Sequence, residues 1–187
     1  ADRTRAVIHV RRHPKDVLLS GYEYHALNGA NIPADVYANA FITKLGDPSW
    51  LQLGFGTWES HIGSWVNGPE LPPGVRCHWT TYERLKSDTG AELRAMIEFL
   101  GEPVDEARLA EAVADCSLEN LRATEDREKA AGSESLFPGS DAARAKGKRF
   151  INTGRTGQTL AHISPALDAR FNEAFAPVLT RCGYPAG

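Results

Sequence analysis

Cysteine is scarce in this chain, and no apolar run approaches the length of a transmembrane helix. The three cysteines, Cys77, Cys116 and Cys182, are odd in number, lie far apart and lack any CxxC pattern. Their spacing argues against a disulfide framework and against a zinc site, and it suits a reducing compartment. We therefore expect a cytoplasmic protein without a bound metal, a signal peptide or a membrane span.

The chain also lacks a large charge of either sign, since its formal net charge is −3 at pH 7. This balance gives no electrostatic case for binding nucleic acids or membranes. The length of 187 residues, with 42% hydrophobic and 24% charged residues, suits a single soluble domain over 1–187. The first residues are locally basic, which suits a small anion site better than a long polyanion.

One strong local pattern stands near the start of the chain. The apolar run at 6–10 is followed by Arg11 and Arg12, and Pro14 then opens a segment with helical apolar spacing. This order indicates a buried parallel strand that leads directly into a helix. Ligands bind at the carboxyl ends of strands in open α/β sheets. Two guanidinium groups beside a helix N-terminus therefore indicate an anion site, most naturally for phosphate.

The rest of the chain predicts strands that alternate with longer helices, which is typical of a three-layer α/β architecture with a parallel sheet flanked by helices. The predicted elements after the first strand are a helix at 14–27, a variable connector at 30–55, a helix capped by Thr57 and a strand at 75–80. They continue with a helix opened by the capping box of Thr89 and Glu92, a helix from Asp105 and a helix at 117–129. A mobile loop at 130–148 precedes the last helix, which starts at Ser164 and in which Pro177 should cause a bend or end the first part.

The segment Val10-Arg11-Arg12-His13-Pro14-Lys15-Asp16-Val17, followed by Ser20, resembles the 3′-phosphate-binding segment of the sulfotransferases that use 3′-phosphoadenosine 5′-phosphosulfate (PAPS). The resemblance implies that Arg12 and Ser20 hold the 3′-phosphate of the donor. It also implies the sulfotransferase fold, a variant of the P-loop nucleotide-kinase-like architecture. The alternative is a plain βα unit whose arginines pair with surface carboxylates.

Two further segments resemble the adenine-binding parts of this family. Tyr82, at the end of the second strand, matches the tyrosine that positions the adenine, although it could equally be a half-buried packing residue. Ser117 keeps the hydroxyl of the other adenine segment, whereas Leu118 replaces the aromatic residue that follows it. Ser117 could also serve as a helix N-cap, and both roles are compatible.

The segment Phe150–Gly157 resembles the second 3′-phosphate loop of the family, and this resemblance implies that Thr153, Gly154 and Arg155 contact the donor. Asn152 and Thr153 stand where the family has a basic pair, while Gly154 and Gly157 keep its glycines. The missing charge could come from Arg155, Arg149 or Lys148. These departures suggest a divergent member of bacterial type.

As a whole, the resemblance implies transfer of a sulfuryl group from PAPS to a hydroxyl or amine of a small-molecule or carbohydrate acceptor, with adenosine 3′,5′-bisphosphate (PAP) as the product. The family's catalytic lysine and general base normally precede the segment that begins this chain, so we expect an N-terminal portion to be missing. We assign no catalytic residue to the six histidines, of which His25 is the first to inspect. The segments 26–55 and 130–148 are expected to frame the acceptor, whose identity stays open together with the oligomeric state.

Two other functions stay open at this stage. A non-catalytic nucleotide-binding α/β module would fit the altered pair at Asn152 and Thr153. A nucleoside or sugar kinase relative would need a Walker-type loop, which the chain lacks. It would also leave the pairing of Arg12 with Ser20 unexplained.

Overall fold

The computed structural model describes residues 4–66, 71, 74–131, 137, 139 and 145–184. Within these ranges the chain forms α-helices and a parallel two-stranded sheet of order β1–β2, which confirms the predicted α/β class. In chain order the elements are β1 (Ala6–Arg11), α1 (Pro14–Leu27), α2 (Ala34–Lys44), α3 (Pro48–Gln52), α4 (Trp58–Val66), β2 (Arg76–Thr81), α5 (Tyr82–Ser87), α6 (Thr89–Leu100), α7 (Glu106–Asp115), α8 (Leu118–Ala130) and α9 (Pro165–Arg181).

The contacts divide the chain into two compact units. The first unit comprises Ala1–Val10, Ala26–Ala30 and Val75–Gly154, and the second comprises Arg11–His25, Asn31–Gly74 and Arg155–Gly187. The strand β2 and the helices α5 to α8 therefore belong to the first unit. The helices α2 to α4 and α9 belong to the second unit.

A buried polar contact joins β2 to α6 in the first unit. Thr80 and Glu92 are both buried, and the Thr80 hydroxyl donates a hydrogen bond to the Glu92 carboxylate. The exposed Arg84 guanidinium forms an ion pair with the same carboxylate at 2.5 Å. The ring of His78 lies 5.4 Å from the ring of Phe99 on α6. These contacts hold α5 and α6 at the carboxyl end of β2.

Aromatic packing forms the core of the second unit. The rings of Phe171 and Phe175 on α9 stack with centroids 4.3 Å apart and an interplanar angle of 6°. Phe41 of α2 stacks on Phe175 at 6.1 Å, and all three side chains are fully buried. Leu18 of α1 and Leu160 pack in the same cluster. This core therefore joins α1, α2 and α9.

The segment 30–55 contains two helices, so its prediction as a variable connector was wrong. The helix α2 buries one continuous face, formed by Tyr37, Ala38, Phe41 and Ile42. Pro33 is the N-cap of α2, and Pro48 is the first residue of α3. The Asp47 side chain caps α3 by accepting a hydrogen bond from the Ser49 backbone N–H. The prolines that suggested a connector stand at helix starts, where proline is well tolerated.

The start of one predicted helix also differs from the structure. Asp88, rather than Thr89, is the N-cap of α6, and its side chain accepts a hydrogen bond from the Ala91 N–H at 2.9 Å. The last helix, in which Pro177 was expected to cause a bend or to end the first part, runs as one α-helix through Pro177 to Arg181. The expected capping box at Thr89 and Glu92 was wrong, because Asp88 caps α6.

The mobile loop predicted at 130–148 falls largely outside the described residues. Of its aromatic part, the Phe137 ring lies 5.8 Å from the ring of Phe150 in the first unit. Among the helices that the structure describes, none combines the length and apolar character that crossing a membrane requires.

Candidate functional site

Arg12 is fixed through both its backbone and its side chain in the second unit. It follows the last residue of β1 and stands two residues before α1. Its backbone carbonyl accepts a hydrogen bond from the Trp58 indole N–H at 3.2 Å. Its guanidinium donates through Nη2 to the Arg155 carbonyl at 2.7 Å. The side chain therefore reaches the loop that follows Gly154.

The start of α1 is built for a sharp strand-to-helix turn. Pro14 is the first helical residue and is buried. The His13 carbonyl accepts from the Val17 N–H at 3.0 Å, and His13 Nδ1 accepts from the Lys15 N–H at 3.2 Å. Ser20 lies further along the same helix and is exposed. Arg12 and Ser20 thus stand on one strand-to-helix segment of the second unit, with Ser20 open to a ligand.

A buried carboxylate lies in the first turn of α1. Asp16 is fully buried and accepts hydrogen bonds from the backbone N–H groups of Gly157 and Gln158, at 2.9 and 3.1 Å. The side-chain amide of Gln158 donates to the same carboxylate at 3.1 Å. Gly157 has φ = 67°, in the left-handed region that favours glycine. Asp16 belongs to the 3′-phosphate-like motif, but the sequence pattern alone indicates no role for it.

Tyr82, Lys86 and Gly154 come together in the first unit. Tyr82 begins α5, whose N-cap Thr81 accepts a hydrogen bond from the Arg84 N–H. Gly154 has φ = 60°, and a Cβ placed on it would lie 3.2 Å from the Tyr82 hydroxyl and 3.6 Å from Lys86 Nζ. Tyr82 and Gly154 were candidates from the sequence, whereas Lys86 was not among them. The i, i+4 spacing of Tyr82 and Lys86 on one helix was the signal that could have found it.

The helix α8 holds the chain just before Gly154, also in the first unit. Glu125 is fully buried and accepts hydrogen bonds from the backbone N–H groups of Phe150 and Ile151, at 2.9 and 3.0 Å. It also pairs with the Lys129 ammonium. Arg122 donates to the carbonyls of Ile151 and Asn152, at 3.3 and 2.9 Å. Neither α8 residue was predicted from the sequence, because the segment that they hold is distant in the chain.

These contacts also set the ionisation of Glu125. Burial by itself raises the pKa of its carboxyl, but the hydrogen bonds from Lys129, Phe150 and Ile151 outweigh burial and leave the pKa below its ordinary value. The carboxylate form is therefore the one that holds the Phe150–Ile151 backbone.

The other predicted contacts are more exposed. Ser117 is exposed and is the N-cap of α8, where its hydroxyl accepts a hydrogen bond from the Asn120 N–H at 3.3 Å. Thr153 and Arg155 are also exposed. Of the basic residues that could replace the missing pair, Arg149 forms an ion pair with Asp126 at 2.9 Å. The N-cap role of Ser117 is confirmed, whereas its contact with adenine stays a prediction.

His25 belongs to a separate polar cluster in the second unit. Its Nε2 lies 2.8 Å from the Asp47 carboxylate, which also accepts from the Tyr37 hydroxyl at 2.6 Å and from the Ser49 backbone N–H at 2.8 Å. Burial and the neighbouring Asp47 raise the pKa of Tyr37. Burial alone raises the pKa of Asp47, but its hydrogen bonds with Ser49, Tyr37 and His25 lower it. The cluster ties α1, α2 and α3 together, and we assign it no catalytic role.

No group of three or more potential metal ligands gathers in the part of the chain that the structure describes. Tyr37 and Phe41, which lie in the segment 26–55 that was expected to frame the acceptor, are buried in the core. Phe55 from the same segment is 61% exposed.

Comparison with known proteins gives one family. A family model described as "Sulfotransferase domain" matches residues 2–183. Among curated proteins, sulfotransferase 1C2 of Homo sapiens is 25% identical over 90% of this chain and 52% of its own length. Sulfotransferase 2B1 of Mus musculus is 27% identical over 90% of this chain and 46% of its own length. The chain thus spans about half the length of the curated relatives that it matches.

Solved structures show the same fold. Mouse sulfotransferase SULT7A1, complexed with PAP, superposes with a TM-score of 0.66 at 19% identity, covering 92% of this chain and 57% of that one. A retinol dehydratase in complex with androsterone and the inactive cofactor PAP superposes with a TM-score of 0.64 at 16% identity, covering 92% of this chain and 46% of that one. At these identities the likeness establishes the fold.

Proposed function

Because the chain belongs to the sulfotransferase domain family, we propose that it binds PAPS and acts in the transfer of the sulfuryl group to a hydroxyl or amine acceptor. Two neighbours of the same fold are complexed with PAP, which supports an adenosine 3′,5′-bisphosphate nucleotide as the ligand. Transfer of this kind resembles phosphoryl transfer, in which positioning and charge stabilisation dominate over covalent chemistry. The groups that hold the nucleotide therefore contribute directly to the rate.

One observation in the second unit carries the proposal. The two segments that resemble 3′-phosphate-binding parts are bonded to each other, through Arg12 to the Arg155 carbonyl and through Asp16 to the Gly157 N–H. A plain βα unit with surface arginines would not require such bonds. We assign Arg12 and the exposed Ser20 to the 3′-phosphate, because a guanidinium and a hydroxyl both donate hydrogen bonds to phosphate oxygens. The exposed Arg155 supplies further positive charge to the same group.

In the first unit the proposal concerns the adenine and the Gly154 loop. We assign Tyr82 and Ser117 to the adenine, and Thr153 and Gly154 to a loop whose backbone N–H groups approach phosphate. The Lys86 ammonium, adjacent to Gly154, supplies the charge that the altered pair lacks. An ammonium beside an open glycine backbone suits an anionic ligand.

The proposal extends to the acceptor, to the cellular location and to the type of family member. The named ligand androsterone in the retinol dehydratase structure supports a small hydroxyl-bearing acceptor, and a carbohydrate would present the same hydroxyl chemistry. Cys77, Cys116 and Cys182 are all free, which supports a reducing, cytoplasmic location. The departures at Asn152 and Thr153 support a divergent, bacterial-type member of the family.

Calorimetric titration of the 187-residue chain with PAP and with 5′-AMP tests the proposal. We expect PAP to bind at least about tenfold more tightly, because charge-assisted hydrogen bonds to the 3′-phosphate are made only by PAP. Arg12→Ala should abolish this preference, and Lys86→Met should reduce the affinity for PAP.

Arg181→Ala is the matched control, since Arg181 pairs with Glu59 elsewhere in the second unit. It should leave the preference for PAP unchanged. Equal affinity of the folded wild-type chain for the two nucleotides would contradict the proposed function.

A further inference from the structure

Asp16 is a carboxylate with no exposed surface, and three donors surround it. The backbone N–H groups of Gly157 and Gln158 and the side-chain amide of Gln158 lie between 2.9 and 3.1 Å from its oxygens. A buried carboxylate is costly unless hydrogen bonds compensate for its lost hydration. The loop at 157–158 therefore supplies the donors that allow this charge to be buried.

Asp16 is also linked to Arg12 through the chain. The two residues stand four positions apart, and both bond to one short stretch of the second unit: Arg12 to the carbonyl of Arg155, and Asp16 to the N–H groups of Gly157 and Gln158. The strand-to-helix turn thus holds both ends of this loop. Arg12 donates to a carbonyl at one end, and Asp16 accepts from N–H groups at the other. A shift of the loop would strain both sets of bonds together.

An acidic residue in the first turn of a helix also stabilises the helix dipole. That role does not require burial, since exposed carboxylates fulfil it as well. It gives no reason for the carboxylate to accept hydrogen bonds from two consecutive N–H groups of a loop more than 140 residues away in the chain. The hydrogen bonds of Asp16 therefore serve to hold the loop at 157–158, and the helix dipole alone does not explain them.

We propose that Asp16 is a positioning residue for the 3′-phosphate: it does not touch the nucleotide, but holds the Arg155–Gln158 loop in register with Arg12. This inference rests on the proposed function. A positioning role and a purely electrostatic role of Asp16 predict opposite effects of its neutralisation on nucleotide binding. Removing a negative charge near an anion site should strengthen anion binding. If Asp16 positions the loop, its neutralisation should instead weaken discrimination for the 3′-phosphate.

Asp16→Asn makes the test, because asparagine has nearly the same shape but presents an NH₂ group where one of the N–H donors needs an acceptor. We expect the ratio of PAP affinity to 5′-AMP affinity to fall by about tenfold. The affinity for 5′-AMP should stay nearly constant, since 5′-AMP has no 3′-phosphate. An unchanged or increased ratio in the folded variant would overturn the positioning role.

Asp47→Asn is the matched control, because Asp47 is also a buried carboxylate of the second unit that accepts a backbone N–H. It should lose stability and yet keep the wild-type affinity ratio. If the wild-type chain shows no preference for PAP, the proposed function fails. If the wild type prefers PAP and Asp16→Asn does so equally, only the positioning role fails.

A second measurement uses the wild-type chain and does not depend on the variant folding. Amide hydrogen exchange at Gly157 and Gln158 should be slowed in the free chain, because both N–H groups bond to a buried acceptor. PAP should slow both amides further than 5′-AMP does. Equal effects of the two nucleotides, or unprotected amides in the free chain, would contradict the inference.

Discussion

Gly154 has a backbone conformation that residues with a Cβ rarely adopt, and the Tyr82 hydroxyl and the Lys86 ammonium lie beside it. Its φ of 60° lies in the left-handed region, which costs a residue with a Cβ about 1–2 kcal/mol. The position of a Cβ would also fall 3.2 Å from the Tyr82 hydroxyl and 3.6 Å from Lys86 Nζ. The absence of a side chain therefore serves both the backbone and the packing of its neighbours.

These two effects can be separated with a pair of alanine substitutions. Gly147 also has positive φ, 73°, but no atom of the described residues lies within 4 Å of the position of its Cβ. We expect Gly154→Ala and Gly147→Ala to lose a similar free energy of unfolding, about 1–2 kcal/mol each in urea denaturation. Only Gly154→Ala should also weaken PAP binding, because it displaces Tyr82 and Lys86. Equal PAP affinity of the two variants would refute a role of Gly154 in the site.

The individual site residues show what a sequence can reveal at this scale. Arg12, Tyr82 and Gly154 were candidates from the sequence because each stands in a local motif with a fixed spacing. Asp16 stood in the same motif, but its role depends on a loop more than 140 residues away. Lys86 carries no motif of its own, and only folding brings it to Gly154. Roles that arise from long-range contacts were therefore not predictable.

At the scale of elements, α8 and the chain before Gly154 form one hydrogen-bonded arrangement. Glu125 holds two consecutive N–H groups, and Arg122 holds the carbonyls of Ile151 and Asn152. One helix thus provides hydrogen-bond partners both for N–H groups and for carbonyl groups of the segment 150–152. The carboxylate of Glu125 makes this arrangement sensitive to acid.

Acid should weaken the attachment of this segment in a defined direction. The pKa of Glu125 is lowered from its ordinary 4.5 in the folded chain. A lowered carboxyl pKa contributes stability that is fully present above about pH 4.5 and is lost as the pH falls through the folded value. Urea denaturation between pH 7 and pH 3 should therefore show a larger loss of stability in the wild type than in Glu125→Gln, which keeps the contribution of Asp47 but lacks that of Glu125.

At neutral pH the Glu125→Gln variant should be less stable by about 1–3 kcal/mol, since glutamine replaces a charged acceptor with a neutral one. Glu119→Gln is the control, because Glu119 is an exposed residue in the first turn of the same helix. It should follow the acid profile of the wild type. An identical acid profile for Glu125→Gln would contradict the lowered pKa.

The sequence predicted most elements but not all of them. Helices with an apolar face at helical spacing and a clear start signal, such as α1 with Pro14 and α9 with Ser164, were predicted with nearly correct bounds. The helices α2 and α3 were missed, because Pro33 and Pro48 suggested breaks although each stands at a helix start. The cap of α6 was placed one residue late, at Thr89 instead of Asp88. At α6 two possible capping residues, Asp88 and Thr89, are neighbours in the chain, and the sequence did not distinguish between them.

At the scale of the whole molecule, the alternation of strands and helices was enough to predict the α/β class, and the resemblance to sulfotransferases predicted the family. The composition of the core was less visible. Tyr37 and Phe41 of α2 lie in the segment that was expected to frame the acceptor, but they pack in one core cluster with residues of α9. An apolar side chain in a sequence does not show whether it will meet a ligand or another part of the chain.

The stability of the second unit should depend on the aromatic stack of α9. Phe175 is fully buried between Phe171 and Phe41, with ring centroids at 4.3 and 6.1 Å. Phe175→Ala removes these contacts and leaves a cavity, so we expect a loss of about 3–5 kcal/mol in urea denaturation. Phe55→Ala is the control in the same unit, because its ring is 61% exposed and its loss should cost no more than about 0.5 kcal/mol. Similar losses in the two variants would show that the stack is not the main support of this core.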